Sequence, residues 1–374
     1  MKNLSLYLHI PFCEKKCNYC SFVSFCKPKN EIENYVNALC EEIKLSLTKE
    51  HSLLTIYLGG GTPSLLNQNQ IQKIFETIKN SANISPNAEI TIEVNPNSVT
   101  REKLLAYKQN GINRISVGIQ SLNNKSLQTL GRLHNAKQAK NALKLIKSCG
   151  FENISVDLML GIPHSTKTNI KHALKHFAKT ATHISAYSLI LEENTMLFNL
   201  FNAGKIKLPS EEKTVKQYEF VEKFLAKKGF LKYEVSNFAK CGFESKHNNA
   251  YWSLDDYLGL GVSAHSFVDN VRFSNPNSLE DYFEMMQNQN FEMRASEKIS
   301  NSKLKEEFIM LSLRLIKGID LIKYAKIFNE KLEEKKQKEI DLLINLDLLK
   351  MQNSKLFATK KGFNVLNQII LKLI

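Results

Sequence analysis

Residues 6–22 read LYLHIPFCEKKCNYCSF, with Cys13, Cys17 and Cys20 in a C-x3-C-x2-C run directly behind the strand-like segment Leu4–Ile10. Three thiolates this close suit a [4Fe–4S] cube, because each binds one iron and a loop of this length reaches three corners. A structural zinc site normally closes with four ligands, and no further Cys or His lies at finger-like spacing. One cluster iron would therefore stay open. A disulfide framework is disfavoured, since no apolar signal segment precedes Cys13 and the 7 cysteines are odd in number. Cys26 does not continue the spacing, and Cys40, Cys149 and Cys241 read as buried small hydrophobes. Such thiols need a reducing compartment, which makes the cytoplasm the expected location.

Outward from that loop, strand-like and helix-like segments alternate. Leu4–Ile10, Leu54–Leu58, Glu89–Val94, Arg114–Ile119, Ile154–Met159 and His183–Ser188 are short and apolar or β-branched. Between them, Glu31–Ser46, Asn69–Asn80, Arg101–Lys108, Ala136–Lys147 and Asn169–Lys179 carry helical patterns. Such βα repetition predicts a parallel sheet with helices packed outside it. Right-handed crossovers would curl it into an open (β/α)6 partial TIM barrel. Chemistry on such sheets collects at the carboxyl ends of the strands.

The 374 residues, 43% hydrophobic, suffice for a sizeable core, and no apolar stretch approaches the roughly 18 residues of a membrane span. The formal charge of +14 is spread over scattered lysines interleaved with acidic residues, as in Glu330–Asp341. That pattern reads as a solvated surface rather than a nucleic-acid footprint. It equally suits an acidic electron carrier or an anionic membrane surface.

The second strand runs into Gly59-Gly60-Gly61-Thr62-Pro63. Residues without side chains let a ligand approach the backbone closely, and the absence of a following Gly-Lys-Ser/Thr argues against a P-loop. Later strand ends carry Glu93 in ITIEVNP, Gln120 in RISVGIQSL and Asp157 in VDLMLGIP, with Arg132 in LGRLH. Polar groups in apolar strands are costly unless paired or facing a ligand. Together these could surround one nucleoside-like molecule, with Tyr19 offering an aromatic face.

In order along the chain, these stretches together with ISAYSL (184–189), EVSNFAK (234–240) and HNNAYW (247–252) resemble the HemN/HemW family of radical S-adenosylmethionine proteins. The resemblance implies a radical S-adenosylmethionine barrel in which an open iron on the [4Fe–4S] cluster chelates S-adenosylmethionine. It assigns S-adenosylmethionine contacts to Tyr7, Gly60, Gly61, Thr62, Glu93, Gln120, Arg132 and Asp157, and through a gapped match to Lys175. One branch of the family, the oxygen-independent coproporphyrinogen III oxidases, continues the motif with a fourth cysteine where this chain has Phe22, and carries a longer segment ahead of the motif. Those departures, with HNNAYW, match the haem-chaperone branch. Imidazole is a common haem ligand, so His247 is the first candidate and His265, in LGLGVSAHS, the second, with Cys26 also chemically able. The implied cofactors are the [4Fe–4S] cluster, S-adenosylmethionine and haem. The implied partners are haem-accepting apoproteins and an acidic electron carrier such as flavodoxin or ferredoxin. The oxidase activity and a nucleic-acid-modifying radical enzyme stand as the alternative functions, although no RNA-recognition segment accompanies the barrel.

Past residue 300 the pattern becomes helical: Lys303–Ile316, Asp320–Phe328 and Glu333–Leu346, a hairpin over Leu349–Thr359, then Lys361–Leu373. This resembles a winged-helix module. Acidic residues on its middle helices would repel phosphate, so an interaction role is expected. The expected division is a barrel over 1–235, an extension carrying HNNAYW over 236–299 and the C-terminal module over 300–374.

Overall fold

A computed structural model describes residues 1–374. Six parallel strands run in chain order: β1 (Lys2–Ile10), β2 (His51–Gly60), β3 (Asn83–Val94), β4 (Arg114–Gln120), β5 (Asn153–Leu160) and β6 (His183–Ser188). Helices α1 (Lys29–Ser46), α2 (Gln68–Ser81), α3 (Arg101–Gln109), α4 (Asn124–Thr129), α5 (Ala136–Ser148) and α6 (Lys167–Phe177) occupy the crossovers. Local chemistry marks their starts. Asn67 and Asn135 form capping boxes with Gln70 and Gln138, and Thr166 does so with Asn169. Each box satisfies otherwise orphaned N–H groups in the first helical turn.

Alternation along the strands decides what faces the helices. In β1, Leu4, Leu6, Leu8 and Ile10 are buried in the core shared with the helices, and in β3 Ile90, Ile92 and Val94 do the same. Fully burying such side chains contributes about 1.5–3 kcal/mol each. The intervening residues therefore turn to the barrel interior, and most are polar or small.

The six-stranded barrel is part of a longer sheet. Four strands absent from the sequence reading follow: β7 (Leu231–Lys232), β8 (Asn237–Ala239), β9 (Tyr257–Leu260) and β10 (His265–Val268). Two more, β11 (Val271–Ser274) and β12 (Ala295–Lys298), complete the order β12-β11-β10-β9-β1-β2-β3-β4-β5-β6-β8-β7. β9 pairs parallel with β1, and β8 pairs antiparallel with β6. These strands are two to four residues long, too short for a period-two pattern to show. Their pairing partners, not their own sequence, make them strands.

The C-terminal part has its own core of 20 buried residues, distinct from the 58-residue barrel core. Its first helix ends at Ser312 rather than Ile316. The expected Glu333–Leu346 helix is two pieces, Leu332–Lys335 and Gln337–Asn345, and the last helix breaks between Phe363 and Leu366. The expected hairpin is present as β14 (Leu349–Gln352) and β15 (Lys355–Ala358), joined by a short β13 (Ile319–Asp320).

Candidate functional site

Inward-facing residues build the barrel in layers. At the lower end, Glu89 on β3 and Arg114 on β4 form a buried ion pair at 3.9 Å, while Ser155 Oγ and His183 Nδ1 are 2.8 Å apart. At the carboxyl ends, Glu93 pairs in register with Ser116, and Asp157 with Ser185. The upper layer opens into a cleft that encloses about 160 Å³ and is otherwise open to solvent.

Cys13, Cys17 and Cys20 line this cleft together with Tyr19, Gly60, Gly61, Thr62, Glu93, Gln120, Arg132 and Asp157. Residues scattered over 145 positions thus meet because five consecutive strand ends point the same way. Arg132 is central: its Nη1 donates to Cys17 Sγ at 3.3 Å and its Nη2 to Asn95 Oδ1 at 2.7 Å and to the Gly118 carbonyl. Thr62 Oγ1 donates towards Cys13 Sγ at 3.5 Å and accepts from Asn95 Nδ2 at 3.0 Å. Burial pushes the Cys13 and Cys20 thiols above their usual range. It also raises the carboxyls of Glu93 to about 7 and of Asp157 to about 6. Tyr57 OH donates to Glu93 at 2.7 Å.

The residues fit the cofactors that the sequence implies. No three His, Cys, Asp or Glu side chains converge on one ion position. Three thiols lining one cleft suit a cluster whose corners are separate irons. The buried Nε of Arg132, a residue that lines the cleft, has no hydrogen-bond partner and is left as an unpaired donor. Gln120 adopts φ 68, a left-handed conformation seldom held by a residue with a side chain and characteristic of functional sites. Tyr187 OH donates to its Oε1 at 2.6 Å, which leaves the amide N–H groups free.

His9 ties the cysteine loop to the sheet. Its Nε2 lies 3.0 Å from the Val23 carbonyl, which can only accept, so Nε2 carries the proton and Nδ1 accepts from Tyr7 OH at 3.0 Å. A Cβ on Gly60, whose φ is 103, would lie 2.5 Å from the His9 ring. The glycine that was expected to admit a ligand thus also makes room for the anchor of the loop.

Four expected residues lie outside the cleft. Tyr7 sits beneath it, bonded to His9 and stacked on Tyr57. Lys175 projects from the exposed surface of α6. His247 opens the helix Lys246–Trp252 but is 1% exposed, its Nδ1 2.7 Å from Thr55 Oγ1 and its Nε2 2.9 Å from Tyr251 OH. Burial depresses its pKa to about 3. Both ring nitrogens are occupied, so the imidazole as placed presents no free lone pair to a metal. His265 is exposed at the start of β10, next to a loop in which Gly261 packs against His9. Asn95 and Tyr187 were missed as site residues, although both fall inside ITIEVNP and ISAYSL, and Lys15, Lys16, Ser116 and Gly118 also line the cleft.

Residues 7–177 match the model of the radical SAM superfamily, and residues 299–365 that of the HemN C-terminal domain. The heme chaperone HemW of Bacillus subtilis is 33% identical over 98% of this chain and 97% of its own length. HemW of Lactococcus lactis is 35% identical over 98% and 96%. The solved structure of coproporphyrinogen III oxidase (HemN) from Escherichia coli, a radical SAM enzyme, superposes with a TM-score of 0.85 over 100% of this chain and 90% of that one. At 23% identity that likeness is one of fold. Similarity of a third of all positions along nearly the full length of the two HemW proteins carries further than fold, and the chain belongs to the HemW family of the radical SAM superfamily.

Proposed function

We propose that this protein binds haem and delivers it to acceptor proteins, and that it holds a [4Fe–4S] cluster and S-adenosylmethionine in the cleft. The observation that carries this reading is the end-to-end similarity to relatives named as haem chaperones. Phe22, standing where the oxidases of the resemblance have a fourth cysteine, supports it over porphyrinogen decarboxylation. When bound, the cluster and S-adenosylmethionine supply one-electron chemistry. Cys13, Cys17 and Cys20 would hold the cluster, with Thr62 and Arg132 donating to the sulfurs of Cys13 and Cys17. Donation of this kind stabilises thiolate charge. With S-adenosylmethionine bound, Glu93 and Asp157 would serve as acceptors, Gln120 would present its free amide and Tyr19 would offer an aromatic face, while Gly60 and Gly61 keep the strand end free of side chains.

For haem iron, the exposed imidazole of His265 is the better-supported ligand, because His247 would first have to leave Thr55, Tyr251 and the barrel interior. Lysines at the cleft mouth, Lys15 and Lys16, suit an acidic electron donor. No helix is long and apolar enough to cross a membrane; a cytoplasmic location goes with the reducing compartment that a three-thiolate cluster site needs. The separate C-terminal core supports 300–374 as a unit, read as an interaction module, whereas 236–299 packs mainly into the barrel core and is set apart from 1–235 only by carrying HNNAYW.

The test is anaerobic. Protein with a rebuilt cluster is titrated with haem, then mixed with a haem-free acceptor, and separately incubated with coproporphyrinogen III, S-adenosylmethionine and a reductant. Haem binding with transfer, and no protoporphyrinogen IX, is expected. Catalytic formation of protoporphyrinogen IX would replace the chaperone reading with the oxidase one. In the same preparations, Ser at position 13, 17 or 20 abolishes cluster binding, whereas Ser at 26, 40, 149 or 241 leaves it intact.

A further inference from the structure

Cys26 is exposed and plays no part in the mechanism above. The chain brings it back beside the first cluster cysteine. Phe12 and Phe25 form an isolated parallel bridge, closed by Cys13 N–H donating to the Phe25 carbonyl at 2.9 Å and Phe25 N–H to the Pro11 carbonyl at 2.6 Å. Paired residues of parallel strands point to the same side, and their successors point together to the other. Phe12 is buried in the barrel core and Phe25 packs against it. Cys13 and Cys26 are the next residues of the two bridged segments, so continuation of the parallel geometry directs both to the opposite face. Strands this close run about 4.8 Å apart, inside the roughly 4.4–6.8 Å that a disulfide requires between Cα atoms.

We propose that Cys13 and Cys26 form a redox-active pair in the cluster-free protein, closing a reversible disulfide that bars cluster assembly until a thiol reduces it. The oxidant is a low-molecular-weight disulfide. The thiolate of Cys26, the more exposed of the two, attacks one sulfur of that disulfide, forming a mixed disulfide and expelling one small thiolate. The thiolate of Cys13 then attacks the Cys26 sulfur, forming the protein disulfide and expelling the second small thiolate. The two cysteine protons end on the two departing thiols, so one disulfide is consumed and one formed. The pairing stands on the bridge geometry alone. Its effect on assembly rests on the assignment of Cys13 as a cluster ligand.

The bond and its consequence are read separately. Cluster-free protein is treated with oxidised glutathione, alkylated and mapped by mass spectrometry after combined tryptic and chymotryptic digestion. Cleavage at Lys15 or Lys16 isolates Cys13, and cleavage after Phe22 separates Cys26 from Cys20. A Cys13–Cys26 linkage and the loss of one titratable thiol pair are expected, with the linkage absent from Cys26→Ser. Cys26→Ser that binds a full cluster under reducing conditions shows that the variant is folded. After oxidation, the parent protein is expected to lose cluster uptake unless dithiothreitol is added, while oxidised Cys26→Ser retains it. Linkages confined to Cys13, Cys17 and Cys20, or equal oxidant sensitivity of parent and Cys26→Ser, would overturn the pair. A mapped Cys13–Cys26 bond that left cluster uptake intact would overturn the block and the ligand role of Cys13 while leaving the bond itself established.

Discussion

Gly60→Ala tests whether the cysteine loop is held through His9. Gly60 has φ 103, and its added Cβ would meet three atoms of the His9 ring at 2.5–2.8 Å. Gly111 supplies the comparison: its φ is 89, yet an added Cβ would meet only Ile90 Cδ1, at an ordinary 3.8 Å. Gly111→Ala should therefore cost the backbone strain alone, about 1–2 kcal/mol. Gly60→Ala adds the overpacking of a buried ring, for a total of about 2–5 kcal/mol. The loss of glycine's extra unfolded-state freedom is common to both variants and cancels in the comparison. Urea unfolding of the cluster-free proteins measures the difference. Iron and sulfide content after reconstitution reports the loop, because a displaced ring surrenders the Val23 carbonyl. In a His9→Ala background the clash has no partner, so Gly60→Ala should cost about 1–3 kcal/mol less than it does in the parent. If Gly60→Ala proves no more destabilising than Gly111→Ala, or if removing the His9 ring leaves its cost unchanged, the anchoring argument fails.

Further outcomes follow from other parts of the molecule. His247→Ala leaves a cavity and strips Thr55 and Tyr251 of a partner, so a loss of about 2–4 kcal/mol in unfolding free energy is expected; under moderately stabilising conditions its haem absorption spectrum should match the parent's, whereas that of His265→Ala should change. Glu42 is fully buried and accepts from Gly261 N–H at 2.7 Å, Asn275 Nδ2 at 2.7 Å, Tyr282 OH at 2.8 Å and Arg294 Nη2 at 2.8 Å. Glu42→Ala should then cost about 3–5 kcal/mol by leaving Arg294 and its companions unpaired, measured by urea unfolding. Glu93 and Asp157 hold their protons to about pH 7 and 6 when folded, above the ordinary carboxylate range. The native state therefore binds more protons than the unfolded one, and the stability of the cofactor-free protein falls as pH rises from about 4 to 7; Glu93→Gln with Asp157→Asn should flatten that slope, and an unchanged slope would place the titration elsewhere.

The order of the barrel strands, five of the crossover helices (the six-residue α4 was not among them) and the three-cysteine loop were legible from the chain. Alternation of apolar and polar residues, helix caps and cysteine spacing are local properties, and local backbone geometry translates them directly. ITIEVNP shows this: Ile90, Ile92 and Val94 face the helices, which sends Glu93 to the interior whatever the rest of the chain does. The five strand ends then had to share one edge of the sheet, so their polar residues met at one cleft.

Other features depended on partners distant in sequence. His247 looked available within HNNAYW, but Thr55, 192 residues away, occupies one ring nitrogen and the barrel interior excludes solvent from the other. Tyr257–Leu260 is a strand because β1 offers it an open edge. Gly60 is required as much by the His9 ring as by any ligand, and Cys26 stands beside Cys13 only through the Phe12–Phe25 bridge. Burial, hydrogen-bond occupancy and steric room are set by what else arrives at a position, and a linear sequence carries no distance between residues that are far apart along it.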